Sequence, residues 1–354
     1  MNFIPDRLKS ARMINGISLQ GLADRLAEIG VPISKQAINK YEQGDSSPNS
    51  EMIGLLSKAL KVRPDYFFNS FEIEFGDIEY RKLESYSTKE AQRIVEISKD
   101  ELRRYLELEN LLNIQTEFEN PLRDFEITDL DSVDKAADKL RDSWKLGSNP
   151  IPNSIELLEE HNVKVIELES DVKLDGFSTI ANERYPIVIL NKTKLDDKAD
   201  RKRWTSLHEL GHLALNLQHI NDEKLVEKYC HHFAGAMLFP KDVMIKELGE
   251  KRSKLSINEL AALKEEYGIS MQAIVYRAKD LGIINVSTFR QFFQMFTQLG
   301  YRINEPAEYY GKEESHRFKQ LLFRALAEEV ISMSKAASLK NQKLAEFRKE
   351  HMVI

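Results

Sequence analysis

His208, Glu209 and His212 form an H-E-x-x-H pattern, the place in this sequence where residue type and spacing point most directly to chemistry. On a helix, positions i and i+4 share a face, so both imidazoles can reach one metal ion. A glutamate one residue after the first ligand can reach a metal-bound water and serve as its general base. The surroundings read as helix: Trp204, Leu207, Leu210, Leu213, Ala214 and Leu217 recur at helical spacing, and Asp196-Asp197 supply acid where such a helix would start.

Two histidines do not hold a catalytic zinc; three protein ligands with one open position are usual. His219, Glu223, Glu227, His231 and His232 follow within reach. The longer metzincin pattern is excluded, because Leu215 and Gln218 stand where it needs Gly and His. A second helix is expected from about 222 to 238, ending before Pro240. On it Glu227 and His231 lie at i and i+4 and share a face.

With Arg203-Trp204-Thr205 in front of HELGHLAL, and Glu227 followed by FAGAMLFP at 233–240, the segment from about Leu157 to Leu281 resembles the ImmA/IrrE family of zinc metallopeptidases. The resemblance implies Zn2+ held by His208, His212 and Glu227, with Glu209 as the catalytic base. Cys230 stands where that family usually has Ala, and His231 where it usually has Asp or Asn. The residue at that second position normally supports a ligand histidine from behind. His231 can do this through a ring nitrogen, can join the metal, or can point away.

The elements that carry these residues follow from the flanking sequence. A helix is expected at 129–146, with Val133, Ala136, Ala137, Leu140 and Trp144 inward, and another at 154–161. Three strand-like runs follow, Val163–Leu168, Gly176–Ile180 and Pro186–Leu190, so a small sheet precedes the metal helix. Gly176–Ile180 is the candidate edge strand, which could take an extended substrate by β-augmentation or be an ordinary structural strand. Helices are expected again at 256–267, 270–280, 289–299 and 316–340. Ala273, Ile274, Tyr276 and Ala278 read as core, and Phe289, Phe292, Phe293 and Phe296 as a core or partner face.

Residues 1–70 read as five short helices. Ser18 caps the second, Ser34 caps the third over Lys35–Gln43, Gly44 ends it, and Ser50 caps the fourth. Ala37, Ile38 and Tyr41 face inward; Lys35, Gln36, Asn39 and Lys40 face outward. SLQGLADRL followed by ISKQAINKYEQGDSSPNSEMIGLLSKALKVRPDYFF resembles the Cro/CI-type (Xre) helix-turn-helix family. That resemblance implies a recognition helix in the major groove of double-stranded operator DNA. Gln36 can then read adenine, Lys35 guanine or phosphate, Ser34 and Asn39 are further candidates, and Lys40 suits a phosphate.

Composition bounds the rest. The 354 residues allow two or three domains, and 42% hydrophobic with 31% charged residues suits well-formed cores under a polar surface. The net charge of −6 excludes a basic nucleic-acid coat. Within residues 1–70, nine Lys and Arg against seven Asp and Glu leave +2, so a monomer should hold DNA weakly and a homodimer would be needed for two half-sites. Cys230, the one cysteine, excludes an internal disulfide. MNFIPDRLKS has no apolar signal core, and no run reaches about 18 apolar residues, so a cytoplasmic location without a membrane partner is expected. A Leu-rich stretch at 88–113 is amphipathic and suits either a dimerising coiled coil or packing on the peptidase region.

The expected fold is mainly α (α+β): a five-helix bundle at 1–70, a helical linker at 71–128, a zincin-like domain with its sheet on the H-E-x-x-H helix at 129–285, and a helical region at 286–354. The expected function is a DNA-binding transcriptional regulator with a zinc metallo-endopeptidase domain, cleaving a repressor or antitoxin-like protein. The competing reading is a non-catalytic regulator or toxin–antitoxin component that uses the zincin fold as a sensor or dimerisation module.

Overall fold

The computed structural model describes residues 3–68, 72–76, 87–171 and 173–351; parts of the expected 71–128 linker, namely 71 and 77–86, lie outside the described residues. Two compact units emerge. One comprises Met1–Phe75, Glu79–Gln115 and Phe318–Ile354; the other comprises Gly76–Ile78 and Thr116–Arg317.

The first unit opens with α1 (Pro5–Ile14), α2 (Leu19–Glu28), α3 (Lys35–Gln43) and α4 (Ser50–Leu60), closed by a 3-10 turn at Pro64–Phe68. Leu8, Leu22, Leu26, Ile38, Leu56 and Phe67 are buried together as its core. The Ser18 and Ser34 hydroxyls accept backbone N–H bonds from Gly21 and Ala37, satisfying helix-start donors as expected. The fourth helix starts one residue earlier than the sequence suggests: Asn49, not Ser50, is the cap, with its side chain accepting from Met52 N at 2.8 Å. Gly44 ends α3 at φ +78°, a left-handed position that suits glycine. Arg12 clamps the buried Glu42 of α3 with two bonds of 2.6 and 2.8 Å.

Helix α5 (Thr88–Leu111) belongs to this same unit. A capping box of Ser87 and Glu90 starts it. Its Tyr105 and Leu108 pack with Leu321, Leu322, Ala325 and Phe347 from near the end of the sequence. Asp100 gathers Arg7 (3.1 Å), Arg103 (3.0 Å) and Arg104 (3.2 Å). Burial opposes ionisation of Asp100, but the three guanidiniums outweigh it and hold the carboxyl below its usual range. The amphipathic stretch thus spends apolar residues inside its own unit.

The second unit contains α6 (Leu130–Ser143), α7 (Ser154–Glu160), β1 (Lys164–Leu168), β2 (Gly176–Ala181), β3 (Tyr185–Asn191), α8 (Lys192–Leu195), α9 (Ala199–Ala214), α10 (Glu223–Leu238), α11 (Lys241–Leu248), α12 (Ile257–Tyr267), α13 (Met271–Asp280) and α14 (Val286–Gln298). The strand order is β1-β3-β2, with β1 parallel and β2 antiparallel to β3. β3 is therefore central and almost wholly buried, as its continuous apolar run requires. The expected sheet and the α+β architecture are present.

Two expectations are corrected. The H-E-x-x-H helix does not start at Asp196-Asp197: a short turn of helix ends at Leu195, and α9 begins at Ala199 with Asp200 in its first turn. The expected helix at 316–340 is two helices, α15 (Arg317–Ala327) and α16 (Met333–Leu339), followed by α17 (Leu344–His351). Glu329 takes φ +56°, which breaks the first, and Ser332 caps the second.

Glu159, at the end of α7, is buried. Its Oε1 accepts from Ser315 Oγ at 2.8 Å, while Oε2 has no hydrogen-bond partner. Burial pushes its pKa up to about 7, against the smaller lowering effects of the Ser315 hydroxyl, the Arg317 backbone N–H and the Lys164 and Arg317 charges. The folded state therefore keeps a proton that the unfolded chain releases near its ordinary pKa of about 4.3. The stability this group contributes is full below that value and is lost as pH rises through about 7. Glu159→Gln is expected to stabilise the protein by up to about 3 kcal/mol at pH 8 and by much less at pH 5. Urea unfolding at both pH values checks this, and equal gains at both would contradict it.

Candidate metal centre

Helix α9 lies between the sheet and α10, and two glycines let it approach. A Cβ on Gly176 of β2 would stand 2.7 Å from Ile189 O and 3.1 Å from Thr205 Cγ2. A Cβ on Gly211 of α9 would stand 3.2 Å from Cys230 Cα. Side chains at either point would push the helix off its neighbours. Asp222 caps α10, whose Glu227 then faces the histidines of α9.

His208 Nε2 and His212 Nε2 are 3.1 Å apart. Glu227 Oε2 lies 3.3 Å from His208 Nε2, and Glu227 Oε1 lies 3.3 Å from His212 Nε2. Lone pairs from two imidazoles and a carboxylate thus converge on one point. A tetrahedral ion with metal–ligand distances of about 2.0–2.2 Å places its donors roughly 3.3–3.5 Å apart, close to the spacing here. The residues present fit a zinc ion, and among the described residues these three are the group of donors that meets within 4.8 Å.

Glu209 is buried beside them, and Ser178 Oγ of β2 donates to its Oε2 at 2.7 Å. That bond helps to fix the carboxylate. Ser178 carries no sequence signal: it is a serine in a strand, and only the packing of β2 on α9 gives it a role. β2 is indeed an edge of the sheet, and its Ile180 carbonyl already accepts from Gly76 N at 2.9 Å.

The other candidate ligands go elsewhere. His219 Nε2 meets Ile127 O at 3.0 Å. His232 Nε2 meets Asp134 Oδ2 at 2.8 Å, and Arg277 Nη2 donates to Asp134 Oδ1 at 2.6 Å. Burial works against the Asp134 carboxylate, but His232 and Arg277 carry its pKa below the ordinary value. Tyr229 donates to Thr128 O at 2.9 Å, which commits its hydroxyl away from the cluster. Glu223 is exposed.

His231 is exposed and lies face-near to His208, ring centroids 4.3 Å apart, and its Nδ1 accepts from Trp204 Nε1 at 3.4 Å. The far nitrogen of His208, Nδ1, is buried without a hydrogen-bond partner. His231 therefore leans on the ring rather than bonding its back nitrogen. Burial pushes the neighbouring Cys230 thiol up, so it stays protonated beside His212.

Arg203 lies within α9 less than two turns before His208 and is fully buried. It pairs with the buried Glu313, donates to Ile151 O at 2.6 Å and meets Tyr309 Oη at 2.9 Å. Glu313 Oε2 also accepts from both Ser154 N and Ser154 Oγ at 2.7 Å. Residues 301–317, outside the expected 129–285 domain, thus help seat the metal helix. No periodicity marks Glu313 in the sequence, so only the fold reveals it.

In the first unit, Ser34, Lys35, Gln36, Asn39 and Lys40 are all exposed on the start and outer face of α3, while Ile38 is fully buried. The architecture therefore combines a helix-turn-helix bundle with a zincin-like α+β unit. Residues 8–67 match the family model described as helix-turn-helix, and residues 158–279 match the one described as the IrrE N-terminal-like domain. The chain carries, in that order, a Cro/CI-type helix-turn-helix domain and a metallopeptidase-like domain of the ImmA/IrrE type. No curated protein matches it.

Proposed function

We propose that this protein is a DNA-binding transcription regulator whose second unit is a zinc-dependent endopeptidase, acting in the cytoplasm on a repressor or antitoxin-like protein. The observation that carries the reading is the meeting of His208, His212 and Glu227 beside a buried Glu209 fixed by Ser178. His208, His212 and Glu227 would hold the ion, which when bound polarises a peptide carbonyl and acidifies water. Glu209 takes the proton of the attacking water and returns it to the departing amine. Ser178 keeps the Glu209 carboxylate in place through that transfer. His231, exposed beside His208, is the side chain next to the cluster that could donate to the developing oxyanion. Among the described residues no helix is long and apolar enough to cross a membrane.

A metal assay tests the centre. The wild-type chain is expected to bind one zinc, and His208→Ala to lose it, by elemental analysis of purified protein. A wild-type chain that takes up no zinc on addition sinks the peptidase reading. The second reading, a non-catalytic sensor, has one favourable observation: the back nitrogen of His208 lacks the support that ligand histidines usually have. Zinc uptake without cleavage of any encoded neighbour regulator would favour it.

The DNA half rests on the exposed face of α3. A homodimer would span two half-sites. On a selected operator, Gln36→Ala is expected to cost about 1–3 kcal/mol and to relax preference at one base position. Uniform weakening across all sequences would assign Gln36 to phosphate instead.

A further inference from the structure

A cleft of about 950 Å³ opens directly beside the candidate metal centre, starting at Glu227 and His231. Its lining includes an apolar patch: the Trp204 ring, the bare backbone of Gly235 and the small Ala273. Tyr276 lines it too, 47% exposed and packed against Phe289 and Phe293 with ring centroids 4.9 and 5.1 Å away. Two small residues make this space. A Cβ on Gly235 would already stand 3.3 Å from Trp204 Cη2, so a longer side chain there would project into the cleft. Nothing in the zinc chemistry needs this volume, since the three donors and Glu209 lie at one end of it or outside it.

We infer that this cleft is the specificity pocket of the peptidase and takes a large apolar side chain, aromatic by preference, from the substrate residue next to the scissile bond. The inference rests on the proposed peptidase reading and deepens it. Its warrant is continuity. Glu227 belongs both to the donor group and to the cleft wall, so a chain bound at the centre has a neighbouring side chain at the cleft mouth. Trp204 and Tyr276 offer flat apolar faces, which favour an aromatic occupant through stacked or edge contacts. Charged and polar side chains on α10 and α13 also line this space, among them Lys228, Asp280 and the buried His232 and Arg277, the last two already engaged with Asp134.

The probes are two hydroxamates titrated calorimetrically into the zinc-loaded full chain: acetohydroxamic acid and 3-phenylpropanohydroxamic acid. They share a metal-binding head and differ in the apolar group beside it. The phenyl compound is expected to bind at least about tenfold more tightly, the discrimination a well-shaped apolar pocket gives. Gly235→Leu is expected to bring the ratio close to one. Ala273→Phe fills the same space from α13 and serves where the first variant fails to fold. Equal binding of both compounds to the wild type overturns the pocket while leaving the metal centre standing. Binding of neither overturns the metal reading and this inference with it. A ratio that survives both filling variants also overturns the pocket.

Discussion

Glu209→Gln is expected to lower cleavage of a protein substrate by about 10³-fold while zinc content and operator affinity stay at wild-type values. The substitution keeps the size of the side chain and its acceptor for the Ser178 hydroxyl, so the buried site stays packed. It removes the basicity needed to take a proton from water. The donor group of His208, His212 and Glu227 is untouched, and α3 lies in the other unit. Three measurements on one preparation check this: cleavage rate, zinc by elemental analysis, and operator binding. Cleavage within about tenfold of wild type would remove Glu209 from the base role. Ser178→Ala belongs in the same series. It removes the hydrogen bond of 2.7 Å and leaves the carboxylate, so a smaller loss with a shifted pH profile is expected from a positioning residue.

How far the sequence carried this argument depends on which kind of signal each residue leaves. His208, Glu209 and His212 are legible because a helix turns spacing into geometry: four residues apart means one face. Glu227 is less so. Its approach to the histidines depends on how α10 crosses α9, and the small contact at Gly211 against Cys230 decides that; the family resemblance supplied the residue where spacing left five candidates. The start and stop of α3 were readable because Ser34 and Gly44 act through local backbone chemistry. Ser178, Asp134 and Glu313 were not readable. Each acts through a partner tens of residues away, and neither period nor composition encodes a pairing at that range. The helix break at Glu329 is hard to read for a different reason: a non-glycine residue at φ +56° goes against local preference, and the bond from Val330 N to Ala325 O at 2.9 Å closes the helix end there. The fate of α5 was also open, since an amphipathic face says that it is covered and not by what.

The pair Arg203–Glu313 is where that long-range encoding has its largest consequence for stability. Both side chains are almost fully withdrawn from water. Burial pushes the Glu313 carboxyl up, and Arg203 together with the Ser154 donors works against that rise. The site is built around the guanidinium. Gly268 sits at φ +62°, and a Cβ there would be 2.6 Å from Arg203 Nε and 2.8 Å from the Tyr309 ring. Glu313→Ala removes the counter-charge and leaves Arg203 buried with carbonyls and a phenol only. The expected cost is about 3–5 kcal/mol, the penalty for stranding a buried charge, and not the net worth of the pair. Replacing both partners, Arg203→Met with Glu313→Leu, is expected to recover much of that loss, because no charge is then left without its partner. Urea unfolding of wild type, Arg203→Met, Glu313→Leu and the double variant closes the cycle, and a strongly non-additive result is required for two groups in contact. Arg203 sits on the helix that carries His208 and His212, so the single variant should also release zinc at a lower chelator concentration than wild type. A Glu313→Ala protein within about 1 kcal/mol of wild type would mean that water reaches Arg203 and that residues 301–317 do not seat the metal helix.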